Sequence, residues 1–326
     1  KLDGKRIRAL FIDSQDRLWA CTTGGGLIVR LDRDGYDWAT YSSKEYPVIQ
    51  SDKFRCVTET SIGIVAGTDT GAYVIKEDGV RELAKGLDKR VLSLVEANDC
   101  IYAGTDGNGV YVIKDGEIIS HVTREQGLTS LRIMRMTPCS GDKGLWMATG
   151  NNLDYLLFET GLVYHAETMP AANILDCLAM PASTLWILAG NGIYQTTENA
   201  ILKDENTRDY RHYNKKNGIP YDVTANSYSC IVDDHAYICG TDGIIWMDLD
   251  ISTGLPDQYS MVIDSLTLDG EYTYIQGQDS VNISADIRRL EINAHVPTYT
   301  QENPTLFYYL EGFDEAPIYR ASQKLG

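Results

Sequence analysis

Apolar and polar positions alternate along this chain in short runs, and the runs make up one phrase that recurs six times. Each copy has a strand-like run, a polar turn, a bulky apolar residue beside a small residue and Thr, and a Gly-rich hairpin. Ile7-Arg8-Ala9-Leu10 leads to Leu18-Trp19-Ala20-Cys21-Thr22, Phe54-Arg55-Cys56-Val57 to Val65-Ala66-Gly67-Thr68-Asp69, and Val91-Leu92-Ser93-Leu94 to Tyr102-Ala103-Gly104-Thr105-Asp106-Gly107. Leu131-Arg132-Ile133-Met134 then leads to Leu145-Trp146-Met147-Ala148-Thr149, Ile174-Leu175-Asp176-Cys177 to Leu185-Trp186-Ile187-Leu188-Ala189, and Tyr228-Ser229-Cys230-Ile231 to Ile238-Cys239-Gly240-Thr241-Asp242-Gly243. With Thr22, Thr68, Thr105, Thr149, Ala189 and Thr241 as equivalents, the steps are 46, 37, 44, 40 and 52 residues. Strand repeats of that length are the blades of a β-propeller.

Within a copy the pattern predicts a four-stranded antiparallel meander. The first strand is of the Ile7-to-Ile12 type, the second holds the Trp, the third follows the Gly-rich turn as in Gly71-Ala72-Tyr73-Val74-Ile75, and the fourth is short. Asp13-Ser14-Gln15-Asp16 and Ala97-Asn98-Asp99 are hairpin chemistry between the first two strands, and Lys114-Asp115-Gly116 serves a later turn. After Asp250 the phrase stops, and shorter alternating runs such as Leu290-Glu291-Ile292-Asn293-Ala294 take over. The expected architecture is all-β: a propeller over residues 1–255, with six detectable four-stranded blades, and a partial immunoglobulin-like sandwich over 256–326. The second segment is shorter than the roughly 100 residues such a sandwich needs.

The formal net charge of -17 argues against nucleic-acid binding, because a polyanion is repelled where basic residues are scattered as they are in this sequence. The seven cysteines form no C-x-x-C pair, and an odd number on apolar strand positions reads as buried free thiols, with Cys56, Cys177 and Cys230 at one place in the repeat. No run of eighteen apolar residues occurs.

Candidate chemistry is sparse. Asp69, Asp106 and Asp242 follow Gly-Thr in three blades, and Asp13 and Asp233 end first strands. Paired carboxylates could cleave glycosides, but residues at a repeated position are first of all turn residues that accept backbone N–H groups. Gly24-Gly25-Gly26 lacks the rest of a phosphate loop, and the five histidines never show zinc spacing. His121 and His212 fall at equivalent places between blades and read as architectural. Asp32-Arg33-Asp34-Gly35-Tyr36-Asp37 begins like a calcium loop, but Ser43 stands at its twelfth position, so it reads as a hairpin. No catalytic residue, metal ligand or cofactor site is therefore expected. Trp19, Trp146 and Trp186 share a repeat position and read as packing. Aromatics off the repeat, namely Trp38, Tyr41, Tyr46, Tyr164 and Tyr221, are the candidates for a rim where rings stack on sugar faces, although each could equally pack.

The phrase from Ile7 to Leu27 resembles the two-component regulator propeller repeat, and Tyr308-Tyr309-Leu310-Glu311-Gly312-Phe313-Asp314 resembles the signature of the triple-tyrosine (YYY) domain that follows such propellers. In that order the two are similar to the extracytoplasmic sensor region of hybrid two-component histidine kinases. The resemblance implies a non-catalytic, soluble sensing region of a membrane-anchored bacterial receptor. It also implies an oligosaccharide or similar polar ligand, a homodimer, and relay through the sandwich domain across the membrane. A diguanylate cyclase receptor and a secreted polysaccharide hydrolase or lyase remain open as alternatives. The family's usual ring has seven blades, so this chain reads as a piece of a larger ectodomain. The blades of Leu131 and Ile174 depart from the repeat, and Leu153-Asp154-Tyr155 replaces the usual Gly-hydrophobe.

Overall fold

The computed structural model describes residues 2–32, 36–150, 152–165, 171, 173–180, 183–202, 210–216, 218–225, 228–249, 261–275, 278, 280–295, 306–308, 312, 318–320 and 324–325. They form two compact units, one within residues 1–215 and 219–249, the other within 216–218 and 250–326.

The first unit is the propeller. Blade 1 is β1 (Ile7–Ile12), β2 (Leu18–Thr22), β3 (Leu27–Arg30) and β4 (Trp38–Tyr41), and blade 2 is β5 (Phe54–Thr60), β6 (Gly63–Thr68), β7 (Gly71–Lys76) and β8 (Gly79–Glu82). Blade 3 is β9 (Val91–Ala97), β10 (Cys100–Thr105), β11 (Val110–Lys114) and β12 (Glu117–Val122), and blade 4 is β13 (Arg135–Pro138), β14 (Gly144–Ala148), β15 (Leu153–Leu157) and β16 (Val163–His165). Blade 5 is β17 (Ile174–Ala179), β18 (Thr184–Ala189), β19 (Gly192–Thr197) and β20 (Arg211–Tyr213), with the short helix α1 (Glu198–Leu202) before its last strand. Blade 6 has three strands among the described residues, β21 (Cys230–Val232), β22 (His235–Cys239) and β23 (Ile244–Asp248). Every blade is an antiparallel meander in chain order.

The second strands of blades 1 to 5 are buried along almost their whole length, as in β6 and β10, because these blades are covered on both faces. Four apolar cores fill the spaces between blades 1 and 2, 2 and 3, 3 and 4, and 4 and 5. Trp19, Trp146 and Trp186 are all fully buried in this packing. First strands of blades 1, 2, 3 and 5 each carry a bulge at the second residue, the place of Arg8, Arg55, Leu92 and Leu175. A serine in the first hairpin joins each of three blades to the next. Ser14, Ser61 and Ser140 donate both N–H and hydroxyl to Glu59, Glu96 and Glu198. Turn geometry explains the invariant glycine of the second hairpin in blade 3: Gly109 has φ +73° and a Cβ there would lie 2.2 Å from the Val122 carbonyl.

Two sheet faces are open. Leu10 of blade 1 is 55% exposed where its blade 2 equivalent Val57 is 7% exposed, and Ile244 of blade 6 is 67% exposed where Ile193 of blade 5 is fully buried. Ile7, Tyr237 and Trp246 extend these apolar surfaces. Among the described residues no further sheet covers these faces.

The sixth blade departs from the sequence alignment. Val223 bridges Gly240, as Phe54 pairs with Thr68 in blade 2, so the first strand opens near Asp222 rather than at Tyr228. It resumes only at β21, and Cys230 is therefore exposed rather than buried with Cys56 and Cys177. Five of the other cysteines, Cys21, Cys56, Cys100, Cys139 and Cys177, are buried free thiols as expected, and Cys239 is half-buried.

In the second unit, β24 (Val262–Leu268), β25 (Glu271–Tyr274), β26 (Leu290–His295) and β29 (Lys324–Leu325) form one sheet in the order β25-β24-β26-β29, and β27 (Leu306–Tyr308) pairs with β28 (Ile318–Arg320). Most of the triple-tyrosine-like run and the Asp32-to-Asp37 loop at 33–35 lie outside the described residues. Among the described residues no helix is long and apolar enough to cross a membrane.

Candidate functional site

The second-to-third-strand hairpins form one face of the ring, and the threonine of the repeat closes each of them. Thr22 Oγ1 donates to the Gly26 carbonyl at 2.7 Å and accepts from the Gly25 N–H at 2.9 Å. Thr68, Thr105 and Thr149 bond the Gly71, Gly109 and Asn152 carbonyls in the same way, and accept from Thr70, Asn108 and Asn152 N–H groups. Turn closure is thus the work of Thr, and the Asp beside it is available for other partners.

Those partners are arginines. Asp69 takes Arg55 through two bonds of 2.6 and 3.0 Å and Arg90 at 3.0 Å; Asp106 takes Arg90 at 2.8 Å and Arg132 at 2.7 Å. An alternating ladder, Arg55-Asp69-Arg90-Asp106-Arg132, therefore runs across blades 2 to 4. Partial burial acts to raise both carboxyls, but the arginine hydrogen bonds and charges bring them below their ordinary value. The expectation that Asp69 and Asp106 serve as turn acceptors is corrected here. Asp13, in contrast, does cap its turn, accepting from Gln15 and Arg17 N–H groups and from the Trp19 indole at 2.8 Å.

The axis of the ring is occupied by a residue of blade 6. Tyr228 lies between the two parts of that blade's first strand, and its hydroxyl donates to the Leu92 carbonyl of blade 3 at 3.2 Å. The Arg135 guanidinium of blade 4 lies 3.6 Å from its ring centroid, a cation–π contact. Ser229 next to it donates to buried Asp176 of blade 5. Burial raises the Asp176 carboxyl, and the Arg135 charge offsets part of this. Burial likewise raises the Tyr228 phenol well above its usual value. Three blades thus meet on one tyrosine, which ties the ring across its centre.

The opposite face carries the first and third hairpins. A groove of 740 Å³ between blades 1 and 2 is lined by Arg17, Trp19, Tyr41, Glu59, Ser61 and Lys76 among others. A smaller cleft of 210 Å³ at blade 4 is lined by Trp146, Tyr155, Tyr164, His165 and Leu202.

The five aromatic candidates do not form one site. Tyr41 and Tyr46 are brought together, their rings stacked at 5.3 Å, and Tyr41 also stacks on Trp19 at 5.8 Å. Both pack on the core between blades 1 and 2. Trp38 pairs with Arg30 on β4, Tyr164 is exposed at the blade 4 cleft, and Tyr221 packs over Gly240 and Gly243. His121 and His212 have architectural partners. Each stacks on a tyrosine of the neighbouring strand, Tyr111 at 4.1 Å and Tyr194 at 4.2 Å, and its Nε2 meets the Asn108 or Asn191 carbonyl. Among the described residues no group of three acidic, His or Cys side chains is placed to hold a metal.

The sequence reading did not single out Arg90, Arg132, Arg135 or Tyr228. Aligned repeats carry a signal for the first two, since Arg6, Lys53, Arg90 and Arg132 each precede the first buried or apolar residue of a blade's first strand. Nothing in the repeat marks Tyr228, which lies in an insertion.

Solved structures show the same architecture. The extracellular domain of the hybrid two component system BT3049 from B. thetaiotaomicron matches with TM-score 0.73 at 18% identity, over 96% of this chain and 44% of that one. The chain shares its propeller fold with that ectodomain. The extracellular domain of the one component system BT4673 from the same organism matches with TM-score 0.62 at 14% identity, over 100% of this chain and 52% of that one. A streptogramin B lyase matches with TM-score 0.51 at 14% identity, over 76% of this chain and 84% of its own. This chain thus spans about half the length of the two sensor domains. No protein-family model matches the sequence, and no curated protein matches it.

Proposed function

We propose that this chain is part of the extracytoplasmic ligand-sensing region of a membrane-anchored bacterial receptor of the hybrid two-component type. The observation that supports this reading most is the likeness to the BT3049 extracellular domain along nearly the whole chain. The placement of side chains agrees with it. Among the described residues, Asp69 and Asp106 are committed to arginines and Asp13 to its turn, and Tyr228 at the axis bonds the Leu92 carbonyl. The ligand is an oligosaccharide or similar polar molecule. The second unit is the partial sandwich of triple-tyrosine type that relays binding to a transmembrane helix, and the receptor works as a homodimer. A signal passes only if ligand favours one arrangement over another, because equal affinity for both shifts nothing.

The lyase likeness keeps a second reading in view, a propeller enzyme acting on polysaccharide. Two measurements separate them. The reading frame around this segment is expected to encode a transmembrane helix followed by a kinase or cyclase domain, and polysaccharide fragments are expected to be bound but not cleaved. A signal peptide with an early stop codon, together with turnover of an oligosaccharide, would overturn the sensor reading in favour of the enzyme.

A further inference from the structure

Although the chain is strongly acidic, it gathers cations on the ring face made by the second-to-third-strand hairpins. Arg6, Lys53, Arg90 and Arg132 stand just before the first strands of four consecutive blades, and Arg8 and Arg55 occupy equivalent bulged positions one turn of backbone further in. Asp69 and Asp106 engage Arg55, Arg90 and Arg132. Asp52, on the same face, is occupied by the Ser43 N–H and hydroxyl. Arg8 is left over. Its Nε is buried, and it makes no hydrogen bond or ion pair with any described residue. Burial and the nearby charges of Arg55 and Arg6 disfavour its charged form, while Asp69 supports it. An arginine held in that state is a poor structural element, since desolvating a guanidinium without an acceptor is unfavourable. It becomes favourable once an anion supplies the acceptor, and the planar fork of arginine suits the two oxygens of a carboxylate or sulfate. The polarity of the ring agrees: blade 5 presents Asn173 and blade 6 presents Asp222 at the place of Arg6, Lys53 and Arg90, so the cationic field is confined to blades 1 to 4.

We infer that this face binds an anionic group of the ligand, a carboxylate or sulfate on an acidic oligosaccharide, with Arg8 as its main contact and Arg6 and Lys53 flanking it. The inference rests on the sensor reading and narrows its ligand class. A neutral sugar would leave Arg8 as it is.

The test uses the whole chain and three probes: sodium sulfate against sodium chloride at matched ionic strength, digalacturonate, and uncharged digalactose. Sulfate and digalacturonate are expected to bind measurably by calorimetry, with affinity that falls as salt rises. Arg8→Gln is expected to weaken both at least tenfold, Arg8→Lys to give an intermediate loss, and Arg81→Gln, on the exposed outer strand of blade 2, to change nothing. Thermal unfolding of Arg8→Gln is the structural control. If Arg8 serves a ligand, its loss leaves stability unchanged or higher, and a lower melting temperature would overturn the assignment. So would digalactose binding as tightly as digalacturonate, or sulfate affinity that survives in Arg8→Gln. In those cases the sensor reading stands without the anion site. Cleavage of either disaccharide would instead overturn the sensor reading and the proposal with it.

Discussion

Replacing Asp154 by Asn should make the stability of the propeller much less sensitive to pH. Asp154 sits on β15 with no exposure, where blades 1, 2, 3 and 5 place Ile28, Tyr73, Tyr111 and Tyr194, and Thr129 donates its N–H and hydroxyl to the carboxyl at 2.8 and 2.8 Å. Burial raises its carboxyl from 3.8 to about 6, the bonds from Thr129 and the charge of His165 offsetting only part of the desolvation. The folded value lies above the unfolded one. The protonated form is therefore favoured in the fold, and this contribution is complete below pH 3.8 and lost as pH rises through about 6. A difference of roughly two units corresponds to about 3 kcal/mol. Urea unfolding of wild type and Asp154→Asn at pH 4, 5, 6 and 7 measures it, because Asn keeps an acceptor for Thr129 and carries no charge. The wild-type stability minus that of Asp154→Asn should fall by about 2 to 2.5 kcal/mol between pH 4 and pH 7. His165 faces Asp154 in register across β16 and its charge acts on that carboxyl, so His165→Gln is made in both backgrounds. A difference that stays constant or grows with pH would refute the argument, since it would mean that the hydrogen bonds from Thr129 outweigh burial.

Two further substitutions test the ties between blades. Tyr228→Phe removes only the bond to the Leu92 carbonyl and should cost about 1 kcal/mol, whereas Tyr228→Ala also empties the axis beneath Arg135 and should cost about 3 kcal/mol or more, read by urea unfolding. A cost no larger than that of Tyr36→Ala, which trims an almost fully exposed ring, would show that the axis does not depend on this residue. Glu198→Ala should cost about 3 kcal/mol because it strands the buried indole N–H of Trp146, bonded at 2.9 Å, while Glu59→Ala, at the exposed equivalent staple, should cost under about 1 kcal/mol; equal effects would contradict the burial argument.

Much of the fold was legible because a repeat states its rule several times. The spacing of Thr22, Thr68, Thr105 and Thr149 located four hairpins, and the structure gives all four threonines one task. The buried Trp positions were readable for the same reason. The rule fails where the chain stops repeating. Blade 6 was aligned on Cys230 because Tyr228-Ser229-Cys230-Ile231 looks like Phe54-Arg55-Cys56-Val57, yet the register runs through Val223 and Gly240, and the insertion between them carries Tyr228 to the axis. Local pattern cannot report an inserted segment whose partners, Leu92 and Arg135, lie three and two blades away in the chain. The aromatic candidates fared unevenly for a related reason. Being off the repeat does not distinguish a ring at a rim from one that fills a gap, and Tyr41 and Tyr46 fill the gap under blade 1.

The same contrast bears on where binding energy can reside. A ring of equivalent blades presents equivalent groups, and a symmetric face has no means of orienting an asymmetric ligand; orientation needs positions at which the blades differ. The residues that break the repeat here fall into two sets. Asp154, Asp176 and Arg135 are buried and Tyr228 half-buried; they bond one another or their neighbours and tie the sheets together. Arg8 and the cations around it are at the surface end of the first strands, graded from basic in blades 1 to 4 to acidic in blade 6. Stability explains the first set completely, since each member has a protein partner. It does not explain Arg8, whose nearest charged neighbours include two of its own sign. A residue that the fold tolerates rather than uses is the one whose partner is most reasonably sought outside the chain, and that is why Arg8 comes before any of the aromatic rings as the place to begin a ligand search.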